Sequence, residues 1–198
     1  MIKLLESIKI KNYKALNLEY HNKRLNYSRK ELFNCQDEID LADYIPKAPD
    51  NSIYKLRVIY SKEIEKVELN SYQIKVPKSF RFVEFNREYK FKYLNREEIE
   101  KLKRKNSDVD EIILIKKGKI TDTTIANIAL FIENSWVTPK EPLLRGTTRE
   151  RFLRSGLLKE QDLYPQDLKR AKKIALLNAM VEFLEIDNYS IKGLKDEK

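Results

Sequence analysis

Four glycines, Gly118, Gly146, Gly156 and Gly193, are all that the 198 residues contain. A dinucleotide-binding G-x-G-x-x-G turn and a Walker phosphate loop both need closely spaced glycines, because only a residue without Cβ lets the backbone close on a phosphate. Both are excluded, and no separate nucleotide-binding layer is expected. What the sequence offers instead is a series of short alternating strands with helices between them.

LLESIKIKN (4–12) alternates at period two and meets a turn at Asn12 and Tyr13. NLEYHNKRLNYSRKELFN (17–34) then repeats Leu18, Leu25 and Leu32 at helical spacing. After a loop marked by Pro46 and Pro49, YKLRVIY (54–60) and EKVELN (65–70) read as a hairpin turning around 61–64. Beyond Pro77, FRFVEF (80–85) reads as a strand and LNREEIEKLKRKN (94–106) as a helix. EIILIKKGKIT (111–121) predicts a hairpin turning at Lys117 and Gly118, and ANIALFIENSWVTP (126–139) a second one around Asn134 and Ser135. Strands dominate, so the fold class is α+β in two lobes: a small N-terminal α/β lobe over 1–76 and a larger one over 77–198.

Composition narrows the chemistry. Cys35 is the sole cysteine and His21 the sole histidine, so neither a Cys/His metal site nor a Ser-His-Asp triad is expected. No run approaches the roughly 18 apolar residues needed to cross a bilayer, and the N-terminus alternates instead of forming an apolar signal core, which reads as a cytoplasmic protein. The 40 Lys+Arg against 31 Asp+Glu give a net charge of +9 and favour an anionic partner. Residues 78–105 concentrate the excess, with ten basic and five acidic side chains.

Three stretches carry candidate chemistry. KFKYLNREEIE (90–100) sets Lys92 between two aromatic rings. LLRGTTRERFLRSG (143–156) places Gly146 and two hydroxyls at a helix start, with Gly156 as its stop. Free N–H groups, the helix dipole and Arg149 make this an anion cradle, although Thr147 and Glu150 equally fit a capping box that needs no ligand. ITDTTIAN (120–127) brings Asp122 to the end of an apolar strand, as a turn-former or as a carboxylate held for a buried cation.

FKYLNR, ITDTTIAN, LLRGTTR and LLNAM (176–180), preceded by HNKRL (21–25), occur in an order and spacing that resembles the fold type IV pyridoxal-phosphate enzymes: class IV aminotransferases and 4-amino-4-deoxychorismate lyase. The resemblance covers about residues 4–184, and K-x-L-N-R at Lys92 is nearest to the lyase branch. It implies pyridoxal 5'-phosphate as cofactor, bound by the larger lobe. Lys92 would be the catalytic lysine that carries the cofactor aldehyde and shuttles a proton. Desolvation and nearby cations would favour its neutral form.

By the same resemblance Arg24 grips the phosphate, Thr147 and Thr148 form its cup at a helix N-terminus, and Asp122 stands where the family has a glutamate against the pyridine nitrogen, one methylene shorter. Asn127 fits a supporting position at the cofactor, and Asn178 and Ala179 fit the turn beside the substrate. Arg57, on an alternating strand, is a candidate for a substrate carboxylate or else an exposed strand cation. Family members usually open with a hairpin and a glycine-rich segment before the strand matching LLESIKIKN, so a shortened N-terminal lobe is expected.

The implied activity is 4-amino-4-deoxychorismate lyase, which releases pyruvate to give 4-aminobenzoate for folate synthesis. The alternative is an amino-acid aminotransferase of branched-chain or D-amino acid type. A remote third reading, supported only by charge and tyrosines, is a non-catalytic basic nucleic-acid-binding module. The expected partners are a small anionic amine-bearing substrate and a second copy of the chain in a homodimer, with neither nucleic acid nor membrane.

Overall fold

The computed structural model describes residues 2–193, which fall into two compact units. The first comprises the residues up to Ile74 together with Phe91–Asn95, and the second comprises Lys75–Lys90 and the residues from Arg96 on.

In the first unit β1 (Leu4–Lys11) turns through Asn12 and Tyr13, at φ 49° and 64°, into the short β2 (Lys14–Ala15). Helix α1 (Leu18–Phe33) follows, bounded by Asn17 and Asn34, both at φ 57°. Asparagine is the non-glycine residue that best tolerates this left-handed conformation, which explains a helix with defined ends and no glycine. After a 3-10 turn at Leu41–Tyr44, β3 (Tyr54–Tyr60) and β4 (Ile64–Ser71) complete an antiparallel sheet in the order β2-β1-β3-β4.

β1 and β3 pair from Leu4 opposite Tyr60 to Ile10 opposite Tyr54. Period-two alternation therefore puts Leu4, Ile8, Ile10, Leu56, Val58 and Tyr60 on one face, where they bury with Leu25 of α1 and Leu41. Each such side chain contributes about 1.5–3 kcal/mol. Arg29 of α1 is fully buried and satisfied: Nε donates to the Lys62 carbonyl at 2.7 Å, Nη1 to the Asp37 carbonyl at 2.9 Å and Nη2 to the Asp37 carboxylate at 2.8 Å. It ties the helix to the loop after it and to the β3–β4 turn.

The second unit contains β5 (Ser79–Glu84), α2 (Glu97–Lys105), β6 (Glu111–Lys116), β7 (Lys119–Thr123), β8 (Asn127–Ile132), β9 (Ser135–Pro139), α3 (Thr147–Arg154), β10 (Leu158–Gln161), α4 (Asp167–Arg170), β11 (Lys173–Asn178), β12 (Glu182–Ile186) and β13 (Ser190–Lys192). Its sheet runs β10-β9-β8-β7-β6-β5-β13, and β8 also pairs with β11, which carries β12. The pairs β9/β10, β5/β6 and β5/β13 are parallel and the rest antiparallel. β6 is covered on both faces, with Ile113 and Ile115 in one core cluster and Ile112 and Leu114 in another. That is why EIILI reads as a continuous apolar run.

Three expectations shift. The sequence reading put one break at 76–77, but Phe91–Asn95 return to the first unit because they pair with the start of β1: Leu5 N donates to the Lys92 carbonyl and Leu94 N to the Lys3 carbonyl, both at 2.9 Å. The same pairing holds 91–95 out of the helix and delays α2 from residue 94 to Glu97. The β8–β9 hairpin turns at Glu133 and Asn134, φ 49° and 60°, because Ser135 already pairs with Ile132.

Candidate active site

In the first unit the site residues gather around a buried acid. Glu6 lies on β1 in phase with Leu4, Ile8 and Ile10 and is as inaccessible as they are. Arg24 of α1 grips it with both arms of its fork, Nε to Oε1 at 2.8 Å and Nη2 to Oε2 at 2.6 Å. His21, one helical turn earlier, places Nδ1 2.6 Å from Oε2. Burial alone would raise the Glu6 pKa, but the charge of Arg24 and the hydrogen bonds from Arg24 and His21 outweigh it and hold the carboxyl at about 2. His21 moves down, chiefly through burial, against the pull of Glu6 and with Arg24 and Lys92 adding repulsion. Since Glu6 is ionised, Nδ1 carries the proton and the ring is neutral.

Lys92 is half-buried and sits at the centre of a tight turn in which Tyr93 N donates to the Phe91 carbonyl at 2.9 Å. The two rings that flank it in sequence meet each other edge to face, with centroids 6.1 Å apart, and both belong to the core cluster of this unit. Lys92 is near enough for its charge to weigh on His21. Two cations and one carboxylate thus leave this cluster with a positive excess.

In the second unit Asp122 is the penultimate residue of β7 and Asn127 begins β8, and the two form the pair that joins these strands. Asn127 Nδ2 donates to Asp122 Oδ1 at 2.6 Å and to the Leu144 carbonyl at 2.7 Å, while Leu144 N donates to Asp122 Oδ2 at 2.9 Å. Burial outweighs these hydrogen bonds and pushes the Asp122 pKa up to about 7.

Gly146 is the N-cap of α3, with Thr147 and Thr148 in the first turn. The capping box expected from Thr147 and Glu150 does not form: the helix has no side-chain cap, because the cap falls one residue early, and Glu150 pairs with Arg154 at 3.1 Å instead. Both threonines are more than nine-tenths buried, and neither hydroxyl takes part in a hydrogen bond among the described residues. Arg149, 1% exposed, anchors the helix start by donating from Nη2 to the Pro139 carbonyl at 2.8 Å and to Glu160 at 2.6 Å, while its buried Nε has no partner.

The remaining candidates are engaged within the protein. Arg57 pairs across strands with Glu68, directly opposite it, at 2.8 Å. Asn178 caps the turn after β11, its Oδ1 accepting from Met180 N at 2.8 Å and Val181 N at 3.0 Å, and its Nδ2 donates to the Ile125 carbonyl at 3.1 Å; Ala179 is half-buried in that turn. The loop at Thr124 is held by Glu111, which accepts from Thr124 Oγ1 at 2.7 Å, and by Arg96, which donates to the Thr124 carbonyl.

The structure therefore sets Arg24 and Lys92 in the first unit and Asp122, Asn127, Thr147 and Thr148 in the second. Sequence reading missed Glu6 and His21 as members of the Arg24 cluster. The signal for Glu6 was present, as an acid in phase with three core residues of an alternating strand. For His21 only the three-residue spacing to Arg24 spoke.

The sequence model of the amino-transferase class IV family matches residues 3–189. An uncharacterized protein of Haemophilus influenzae is 32% identical over 189 residues, taking in 91% of this chain and 98% of that protein. The crystal structure of a candidate 4-amino-4-deoxychorismate lyase from Haemophilus somnus shares 29% identity at a TM-score of 0.84, over 91% of this chain and 97% of that one. A hypothetical aminotransferase from Mycobacterium tuberculosis, in its PLP-bound form, has the same fold at 18% identity and a TM-score of 0.78, over 96% and 81% of the two chains. The match takes in every motif from HNKRL to LLNAM, and the chain is an enzyme of the class IV aminotransferase family with the two-lobed α+β architecture of fold type IV.

Proposed function

We propose that this enzyme uses pyridoxal 5'-phosphate and acts as a 4-amino-4-deoxychorismate lyase. One observation carries the reading: α3 opens with Thr147 and Thr148, whose hydroxyls make no hydrogen bond among the described residues, behind an N-cap glycine and followed by Arg149 with its orphaned Nε. At a helix N-terminus, where the dipole is positive and the first-turn N–H groups are free, uncommitted hydroxyls are suited to a phosphate. The residues present thus fit the phosphate end of the cofactor. Family membership and the likeness to the Haemophilus somnus structure support the same reading.

When bound, the cofactor supplies an aldehyde that condenses with amines and a ring that withdraws electrons. Thr147, Thr148 and the free N–H groups of the first turn would hold its phosphate. By the family resemblance Arg24, kept in one orientation by Glu6, would supply a fixed positive charge. Lys92 Nζ would hold the aldehyde, yield it to the substrate amine, and then take the hydrogen from the ring carbon that bears the nitrogen. The bond between the ring and the enolpyruvyl oxygen breaks, its electrons leave with that oxygen, and a proton returned to the departing enol gives pyruvate. The six-membered ring is left aromatic as 4-aminobenzoate.

Asp122 favours the lyase over the transaminase. A carboxyl with both oxygens already accepting, and drawn toward its neutral form by burial, is a weak partner for a ring nitrogen. A reaction driven by gain of aromaticity asks less of that electron sink than transamination does. We take the working form to be a homodimer, which sedimentation would check. The deciding experiment incubates the protein with 4-amino-4-deoxychorismate, and separately with amino acids and 2-oxoglutarate. Pyruvate release in the first mixture is expected; glutamate formation without pyruvate release overturns the lyase.

A further inference from the structure

Asp122, Asn127 and the backbone of Leu144 close a ring of hydrogen bonds with three donations, at 2.6, 2.7 and 2.9 Å. The ring grows from the point where β7 and β8 pair, which is a fixed part of the sheet. Two residues beyond Leu144, Gly146 passes so close to Asn127 that a Cβ there would lie 2.1 Å from its Oδ1. Gly146 is also the N-cap of α3. Two side chains of the sheet therefore determine where the first turn of α3 begins, and with it where Thr147 and Thr148 stand.

We propose that Asp122 and Asn127 are positioning residues for the phosphate cradle, and that Asp122 serves the phosphate end of the cofactor through Leu144. The proposal rests on the pyridoxal-phosphate reading above. It departs from the ring-nitrogen role that the resemblance assigns to this position. Both Asp122 oxygens accept from groups of the cradle's own loop, one from Leu144 N and one from the amide that also holds the Leu144 carbonyl. A glutamate here would carry its carboxylate roughly 1.5 Å farther, the length of one C–C bond, and would push against Asn127 or Leu144. An asparagine would turn one acceptor into a donor and leave Leu144 N or the Asn127 amide facing it.

The test compares affinities for pyridoxal 5'-phosphate and for pyridoxal, which lacks only the phosphate, in apoprotein of the wild type, Asp122→Asn and Asp122→Glu. Loss of a positioning contact should lower the preference for the phosphorylated form by about tenfold or more, the scale of one charge-assisted hydrogen bond, while pyridoxal affinity stays unchanged. Rates of unfolding do not enter this ratio, so general destabilisation does not mimic it. An equal fall for both ligands would place Asp122 at the ring and overturn the proposal, as would an unchanged ratio or tighter phosphate-form binding by Asp122→Glu. If the Asp122 variants do not fold, Asn127→Ser must show the same selective loss, and an unchanged ratio there overturns the proposal too. A wild-type protein that takes up neither ligand would refute the cofactor reading itself, an outcome seen before any variant is made.

Discussion

His21 Nδ1 and Glu6 Oε2 lie 2.6 Å apart with both side chains out of solvent, and the same carboxylate receives the fork of Arg24. A buried acid with two nitrogenous partners is the anchor of the first unit's positive cluster. Its protonation state decides whether Arg24 is held.

Glu6→Gln should therefore cost about 3 kcal/mol, because Arg24 keeps its charge and loses a bidentate acceptor. The sign with pH follows from the lowered pKa. With a folded value of about 2 against an ordinary 4.5, the stabilisation from Glu6 is complete above pH 4.5 and is lost as pH falls toward 2. Urea denaturation at pH 6 and pH 3 should show the gap between wild type and variant narrowing at the lower pH. A gap of equal size at both would mean that Glu6 is not ionised in the folded protein.

Asp122 predicts the opposite slope. Its folded pKa of about 7 lies above the ordinary 3.8, so the folded apoprotein favours the protonated form, and stability declines as pH rises from about 4 through 7. The full difference corresponds to up to about 4 kcal/mol. Asp122→Asn removes the titrating group, so its stability should vary less than the wild type's between pH 5 and pH 8. Parallel curves for the two proteins would contradict the buried, neutral-leaning acid.

Much of this arrangement could be read from the sequence wherever one local rule decided the matter. Alternation located β1, β3 and β4, and the Lys117–Gly118 pair fixed a two-residue hairpin at φ 51° and 77°. A glycine followed by two hydroxyls at a helix start marked Gly146, Thr147 and Thr148 in the sequence itself. What escaped depends on long-range pairing. Phe91–Asn95 look like the approach to a helix, yet their backbone exchanges hydrogen bonds with Lys3 and Leu5 at the start of β1. The parallel neighbours β5, β6 and β13 carry no local mark of their pairing, and Asp122 and Leu144 meet across 22 residues. Arg57 read as a possible substrate ligand because its cross-strand partner Glu68 appears only once the hairpin register is known.

Lys92 offers a covalent check on the cofactor reading. Reduction of the loaded protein with borohydride should fix the cofactor to one lysine, and peptide mass spectrometry should find it at residue 92. Lys92→Ala should bind cofactor without retaining label. Label on another lysine, or none on the wild type after reconstitution, would remove Lys92 from the chemistry.

The contact between Gly146 and Asn127 can be tested without any ligand. Gly146 has φ −72° and ψ 145°, a conformation open to any residue, so alanine there meets no backbone strain. Its methyl would nonetheless sit 2.1 Å from Asn127 Oδ1, and Asn127 is itself held by hydrogen bonds of 2.6 and 2.7 Å. Gly146→Ala should therefore cost about 1–3 kcal/mol, the usual penalty of overpacking. Asn127→Ala should cost a similar amount, about 1–3 kcal/mol, by leaving Asp122 and the Leu144 carbonyl without a donor. The double variant no longer has the clash, so its loss should fall short of the sum by at least about 1 kcal/mol. A double-variant cycle measured by chemical denaturation gives that difference directly. Strict additivity would show that Asn127 moves aside at little cost, and the sheet would then not be what sets the start of α3.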